Sequence, residues 1–164
     1  MKMKTKDNYY NEHLQEDLEL AVLRMYNDGI DADIKVSVYD TKNELEASVM
    51  GDRIGWAASI IKVPIMVAVL EEIERKNLGV REKFKVTHKF SLEKYDPVTR
   101  LRKGTEVGIS YLLSRMIINS DNEATNMLVD RIGLPVVNES MWRLGLKRTM
   151  LGHLLCPGQQ RYTS

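Results

Sequence analysis

The chain has 164 residues, 43% hydrophobic and 29% charged, a balance that suits one globular domain able to bury a core. Its 24 basic and 23 acidic residues leave a formal charge of +1, so nothing electrostatic calls for nucleic acid or an anionic membrane as partner. Cys156 is the one cysteine, which excludes an intrachain disulfide.

The opening stretch MKMKTKDNYYNEH is basic but has no apolar run behind it, so as it stands it is not a secretory signal. The expectation is a cytoplasmic protein, or an exported one whose signal has been removed. Residues 11–27 place Leu14, Leu18, Ala21 and Met25 at helical spacing, and Asp28-Gly29 can end that helix. IKVSVYD (34–40) and LEASVM (45–50) alternate as strands around the turn TKNE, which predicts a hairpin. The apolar segment WAASIIKVPIMVAVLEE (56–72) predicts a helix over about 58–76, stopped near Asn77-Leu78-Gly79. It does not read as a membrane span: it is too short, and a central Lys62 costs about 2.5–3.5 kcal/mol in a bilayer.

Residues 80–104 read mostly as loop, broken by Asp96-Pro97 and Gly104. Arg100, Arg102 and Lys103 form the densest basic spot, and without interleaved aromatics they read as solvated loop. Thr105 can cap a helix over 106–118, with Val107, Tyr111, Leu112 and Met116 on one stripe. A helix over 121–132 ends at Gly133, and Pro135 opens another over 135–144, ending at Gly145. The tail 146–164 has no period. The order of helix, two strands and several helices predicts an α+β domain. A two-stranded hairpin needs more strands or a helix against it, so its sheet is expected to be incomplete here.

One lysine in an apolar helix raises a chemical question. Ser59 and Lys62 are three residues apart and share a helix face. A serine at the helix start feels the positive end of the macrodipole. A lysine among Ile61, Val63, Ile65 and Met66 is desolvated, which favours its neutral, basic form. The plainer reading is a lysine whose stem lies on the core while its ammonium reaches water. Spacing alone does not choose between them, since Ser91-Leu92-Glu93-Lys94 repeats the pattern in a polar stretch. Ser120-Asp121-Asn122, about sixty residues beyond Ser59, also reads by itself as a helix start.

The pairing of Ser-x-x-Lys with Ser-Asp-Asn is the signature shared by class A β-lactamases and penicillin-binding proteins. The chain resembles the N-terminal part of such a serine hydrolase over most of residues 12–145. "AASIIKVP" is similar to the family's nucleophile helix with its following proline, and "GTEVGISYLLSRMIINSDN" to the helix leading into the second motif. "KYDPVT" (94–99) is similar to the loop bearing an aromatic residue at the rim of the site. The resemblance implies a single domain over residues 1–164 with the β-lactamase/D,D-peptidase-like α+β fold, residues 51–145 being its helical catalytic region. It implies Ser59 as nucleophile and Lys62 as taker or relay of the serine proton. Ser120 would carry that proton towards the leaving nitrogen. Asn122 would bind the substrate's side-chain amide and help hold Lys62. Asp121 would be structural, Tyr95 a wall of the cleft, and the Ser59 backbone N–H half of an oxyanion hole. The resemblance implies as substrate a small β-lactam or a D-Ala-D-Ala-like peptide, with no cofactor and no metal.

Two parts of the family pattern are missing. No Lys-Thr-Gly is present; Lys103-Gly104-Thr105 has those letters in another order. That motif and three strands belong beyond residue 164 in the family, so the expectation is an N-terminal portion with an uncovered sheet edge, met by swapping or self-association. Nor do residues 145–164 contain Asp or Glu, where the family's β-lactamases carry the base that hydrolyses the acyl-enzyme. His153 or Gln159 could orient water there, although a lone loop histidine is more often structural or exposed. The activities implied are therefore a β-lactamase, a D,D-peptidase-type penicillin-binding protein acylated without efficient turnover, or a non-hydrolytic β-lactam-binding domain.

Overall fold

A computed structural model describes residues 6–90 and 96–155. The chain divides into two compact units, Met1–Gly55 and Trp56–Ser164.

In the first unit, helix α1 (Lys6–Asn27) packs on a hairpin of β1 (Val36–Asp40) and β2 (Leu45–Val49). The strands are antiparallel, from Val36 opposite Val49 to Asp40 opposite Leu45, as the alternation predicts to within two residues. The helix stripe is shifted from the expected one. Leu14 and Leu18 are half-buried and Val22 is buried, whereas Ala21 and Met25 are exposed. Spacings of four residues put Leu14, Leu18 and Val22 on one face. The same face carries Gln15, whose side chain pairs with both backbone groups of Ser48, at 2.9 and 3.0 Å. Those bonds occupy edge positions of β2 that would otherwise face water or another strand.

The second unit is helical. A single 3-10 turn (Ala58–Ile61) leads into α2 (Lys62–Glu74), followed by α3 (Ile109–Ile118), α4 (Asn122–Ile132) and α5 (Leu134–Arg143). The predicted helix over 58–76 therefore opens tighter than an α-helix and ends two residues early. Its stop is a left-handed Lys76 (φ 63°), after which the amides of Asn77 and Leu78 return to the Glu72 carbonyl. Pro64 lies in the first turn of α2, where its missing N–H has no intrahelical acceptor to lose. Ile65, Ala68 and Val69 of α2 are fully buried with Leu112 and Met116 of α3, Leu128 of α4, and Val137 and Met141 of α5. Each of these side chains except Ala68 contributes about 1.5–3 kcal/mol through burial. The Glu71–Arg143 ion pair (2.6 Å) ties α2 to α5 at the surface.

Between α2 and α3, residues 80–104 are mostly loop as expected, but they hold one short strand that the sequence did not show, and the helix does not start at 106. Lys83–Lys85 forms β3, which pairs antiparallel with β4 (Glu106–Gly108), Phe84 lying opposite Val107. Thr105 caps no helix; its carbonyl accepts the Val86 amide (2.9 Å), and α3 starts after Gly108. Three-residue strands separated by twenty residues carry too short an alternation to be read locally; their pairing is decided by Phe84 and Val107 meeting over the core. Among the described residues, no helix is long and apolar enough to cross a membrane.

Candidate active site

The site grows from two backbone turns. In the first, Ala58 holds a left-handed conformation (φ 45°), rare and strained for a residue with a Cβ. The 3-10 turn that Ala58 opens has three residues per turn, so Ser59 and Lys62 eclipse on one side. Ser59 is exposed, but Lys62 is only 2% exposed. The lysine does not snorkel to water.

The second turn joins α3 to α4. Ser120 is also left-handed (φ 54°), and Asp121 caps α4 by accepting the Ala124 amide at 2.8 Å. This turn surrounds the lysine. Lys62 Nζ donates to the Ser120 carbonyl, to Ser120 Oγ (2.8 Å) and to Asn122 Oδ1 (2.7 Å). These acceptors meet the N–H bonds of an ammonium, which offsets the desolvation of the buried stem. Apolar neighbours are thus not what defines its environment, and Val63, expected to enclose it, is half exposed. Ser120 Oγ in turn donates to Ser59 Oγ at 2.7 Å. The resulting chain, Ser59 Oγ to Ser120 Oγ to Lys62 Nζ, can move a proton between the exposed serine and the buried lysine.

Asp121 is fully buried and lies behind this cluster. Burial pushes its carboxyl up from the ordinary aspartate range; the amides of Ala124 and Val98 pull it back, neighbouring Asp96 raises it, and Lys62 lowers it. Of the sequence-predicted residues, Ser59, Lys62, Ser120 and Asn122 are joined by direct bonds, and Asp121 supports them. Tyr95 lies outside the described residues, as do Ser91–Lys94, Cys156 and Gln159.

Three residues at the site were not singled out from the sequence. Asp96, read only as a loop breaker, accepts the Asn122 amide at 2.9 Å. Ala58 supplies the strained approach to Ser59, for which a non-glycine sequence carries no signal. Asn126 lies one helical turn beyond Asn122 and is fully buried. Its side chain donates to the Leu155 carbonyl and accepts the Leu155 amide, both at 2.7 Å. At Leu155 the chain is therefore held against this face of α4 by its backbone. A polar pair, Thr125-Asn126, inside a buried helix was the available clue. His153 is exposed, with Nδ1 at 2.7 Å from the Leu154 carbonyl.

The model of the β-lactamase enzyme family matches residues 17–164. A β-lactamase of Proteus vulgaris is 27% identical over 141 residues, 81% of this chain and 51% of the relative. Among solved structures, a β-lactamase from Sphaerobacter thermophilus superposes with a TM-score of 0.75 at 24% identity, over 83% of this chain and 51% of that one. A mutant of PBP-A, solved as an acyl-enzyme complex with penicillin G, superposes with a TM-score of 0.77 at 21% identity, over 85% and 53%. These structural likenesses concern the fold. The chain spans about half the length of the curated relatives it matches.

Proposed function

The chain belongs to the β-lactamase enzyme family, and from that premise we propose that it is a serine hydrolase that opens β-lactam amide bonds through an acyl-enzyme on Ser59. The observation that carries this reading is the hydroxyl–hydroxyl–ammonium chain from Ser59 through Ser120 to Lys62, at 2.7 and 2.8 Å. With Lys62 as the neutral amine, Ser59 Oγ attacks the lactam carbonyl carbon while the Ser120 hydroxyl turns to accept the Ser59 proton and pass its own to Lys62 Nζ, leaving the ammonium. As the C–N bond breaks, Ser120 returns a proton to the leaving nitrogen. Asn122 holds Lys62 through Oδ1 and binds the substrate's side-chain amide. Asp121 fixes the turn, the Ser59 N–H stabilises the oxyanion, and Tyr95 walls the cleft. Water then hydrolyses the ester on Ser59.

A second reading, a D,D-peptidase-type or non-hydrolytic β-lactam-binding protein, is favoured by the last step. Residues 145–164 supply no carboxylate, and the position clamped by Asn126 is Leu155. Self-association belongs to either reading: Trp56 and Ile60, beside Ser59, are 95% and 77% exposed. Nucleic acid is no part of it, given a net charge of +1.

Intact mass after incubation with penicillin separates the readings. Hydrolysed penicillin without a lasting adduct supports the β-lactamase, and a persistent adduct the second reading. Both signals should vanish in Ser59→Ala; an adduct that persists there, or no reaction in the unaltered protein, refutes the assignment of Ser59.

A further inference from the structure

We propose that Asp96 is a positioning residue for the chemistry at Ser59, holding the Ser120–Asn122 turn in the shape that gathers Lys62. The inference rests on the serine-hydrolase reading for its activity readout and on geometry for the rest.

Asp96 is 8% exposed, and its Oδ2 accepts the Asn122 amide at 2.9 Å. Asp121 answers in the opposite direction, its Oδ2 accepting the Val98 amide at 2.8 Å. Two segments thus exchange carboxylates, each capping the other's backbone. The Asp96 side is itself folded for the purpose. Thr99 Oγ1 donates to the Asp96 carbonyl (2.7 Å), the Leu101 amide returns to the Val98 carbonyl (3.1 Å), and Val98 is fully buried. On the other side, Ser120 keeps a left-handed backbone that a residue with a Cβ does not hold without support.

A cap that served stability alone could take any amide of the first turn. This one takes the amide of Asn122, whose own side chain lies 2.7 Å from Lys62 Nζ. The residue before the capped pair, Ser120, supplies the other two acceptors of that ammonium. Loss of the Asp96 bond would let the Asn122 backbone and the Ser120 carbonyl drift together, and all three acceptors would move. Asp96 also adds charge. The ionisable groups bearing on the buried Asp121 carboxyl are Asp96 from the loop, which raises it, and Lys62 from α2, which lowers it.

The test uses the full chain with Asp96→Ala and Asp96→Asn. One readout is the rate of Ser59 acylation by a fluorescent penicillin across pH. The other is the titration of the Lys62 ammonium, followed by NMR of isotope-labelled lysine. Asp96→Ala should lose about tenfold or more in acylation rate, the size expected when reacting groups are displaced, while circular dichroism shows a folded protein. Asp96→Asn keeps an acceptor but drops the charge. It should keep most of the rate, and shift both the pH profile and the Lys62 midpoint to lower pH. Wild-type rates and an unmoved Lys62 midpoint in both variants would overturn the proposal. If the unaltered protein is not acylated, the serine-hydrolase reading fails, and the Lys62 midpoint alone decides: unmoved in the variants, it refutes Asp96. Should Asp96→Ala not fold, Asp96→Asn decides by its pH profile and Lys62 midpoint: a shift of both to lower pH supports the proposal, and both unmoved refutes it.

Discussion

Helices α2 and α4 deliver their first residues to one cluster, Lys62 from one and Asn122 from the other, yet the two starts are built in opposite ways. α2 has no side-chain cap; it is entered through a 3-10 turn that opens at a strained Ala58, and its approach leaves Ser59 in solvent. α4 is capped by Asp121, supported by Asp96 and buried over seven consecutive residues, Glu123 to Val129. The proposed nucleophile is thus carried by the exposed, strained side, and its proposed proton partners by the locked side. A reactive serine must meet substrate and shed a proton, so exposure and strain serve it; a relay works only if its distances do not change.

The largest expected effect comes from extending the locked side. Asn126 holds the Leu155 backbone one turn beyond Asn122, so Leu155→Glu brings a carboxylate to the same face. A positioned general base contributes about 10²–10⁴-fold, and deacylation should rise on that scale, read as the decay of the penicillin adduct by mass. An unchanged adduct lifetime would mean that position 155 does not reach the ester.

Breaking the locked side directly comes next. Asp121→Ala leaves the Ala124 and Val98 amides buried without their acceptor and removes a helix cap. A loss of about 2–4 kcal/mol in urea unfolding is expected. Little change would show that other groups hold the turn.

Relaxing the open side has a smaller effect of opposite sign. Ala58→Gly removes the penalty of φ 45° and should stabilise the fold by up to about 1 kcal/mol while slowing acylation, because Ser59 is no longer aimed by its neighbour. Faster acylation would contradict the aiming role.

The smallest effect is in pH. The ion pairs of Glu71 with Arg143 and Glu82 with Arg131 hold both glutamates below their ordinary value of 4.5, so their stabilisation is present above that pH and lost as pH falls through the lowered values. Asp121 works in reverse. Its carboxyl is raised from 3.8, so the stability linked to its protonation is present below 3.8 and lost as pH rises through the raised value. Mild acid should therefore stabilise the fold until the glutamate pairs protonate, with each partly exposed pair worth under about 1 kcal/mol. Unfolding curves of Asp121→Asn should lack the upper limb, and those of Glu71→Gln part of the lower one.

Much of this was legible in the residue order. The hairpin followed from alternation around TKNE, and α4 and α5 from Ser120-Asp121-Asn122, Gly133 and Pro135, because caps and breakers act within one turn of the residues that carry them. The stripe of α1 was misplaced by one face, since Ala21 and Met25 satisfy the same period as Leu14 and Leu18 but Val22 found the packing. The pairing of β3 with β4 was invisible, because neither three-residue strand is stable without the other.

By itself, the sequence determined which chemical groups were available and that Ser59 and Lys62 would share a face, since three residues of helical chain leave little choice. Only the tertiary structure decided that Lys62 would be met by Ser120 and Asn122 rather than water, and that Asp96 would stand behind them. Those contacts join residues 58 and 60 positions apart for the lysine and 26 for Asp96, and side-chain bonds at that separation exist only once a buried core has fixed both backbones.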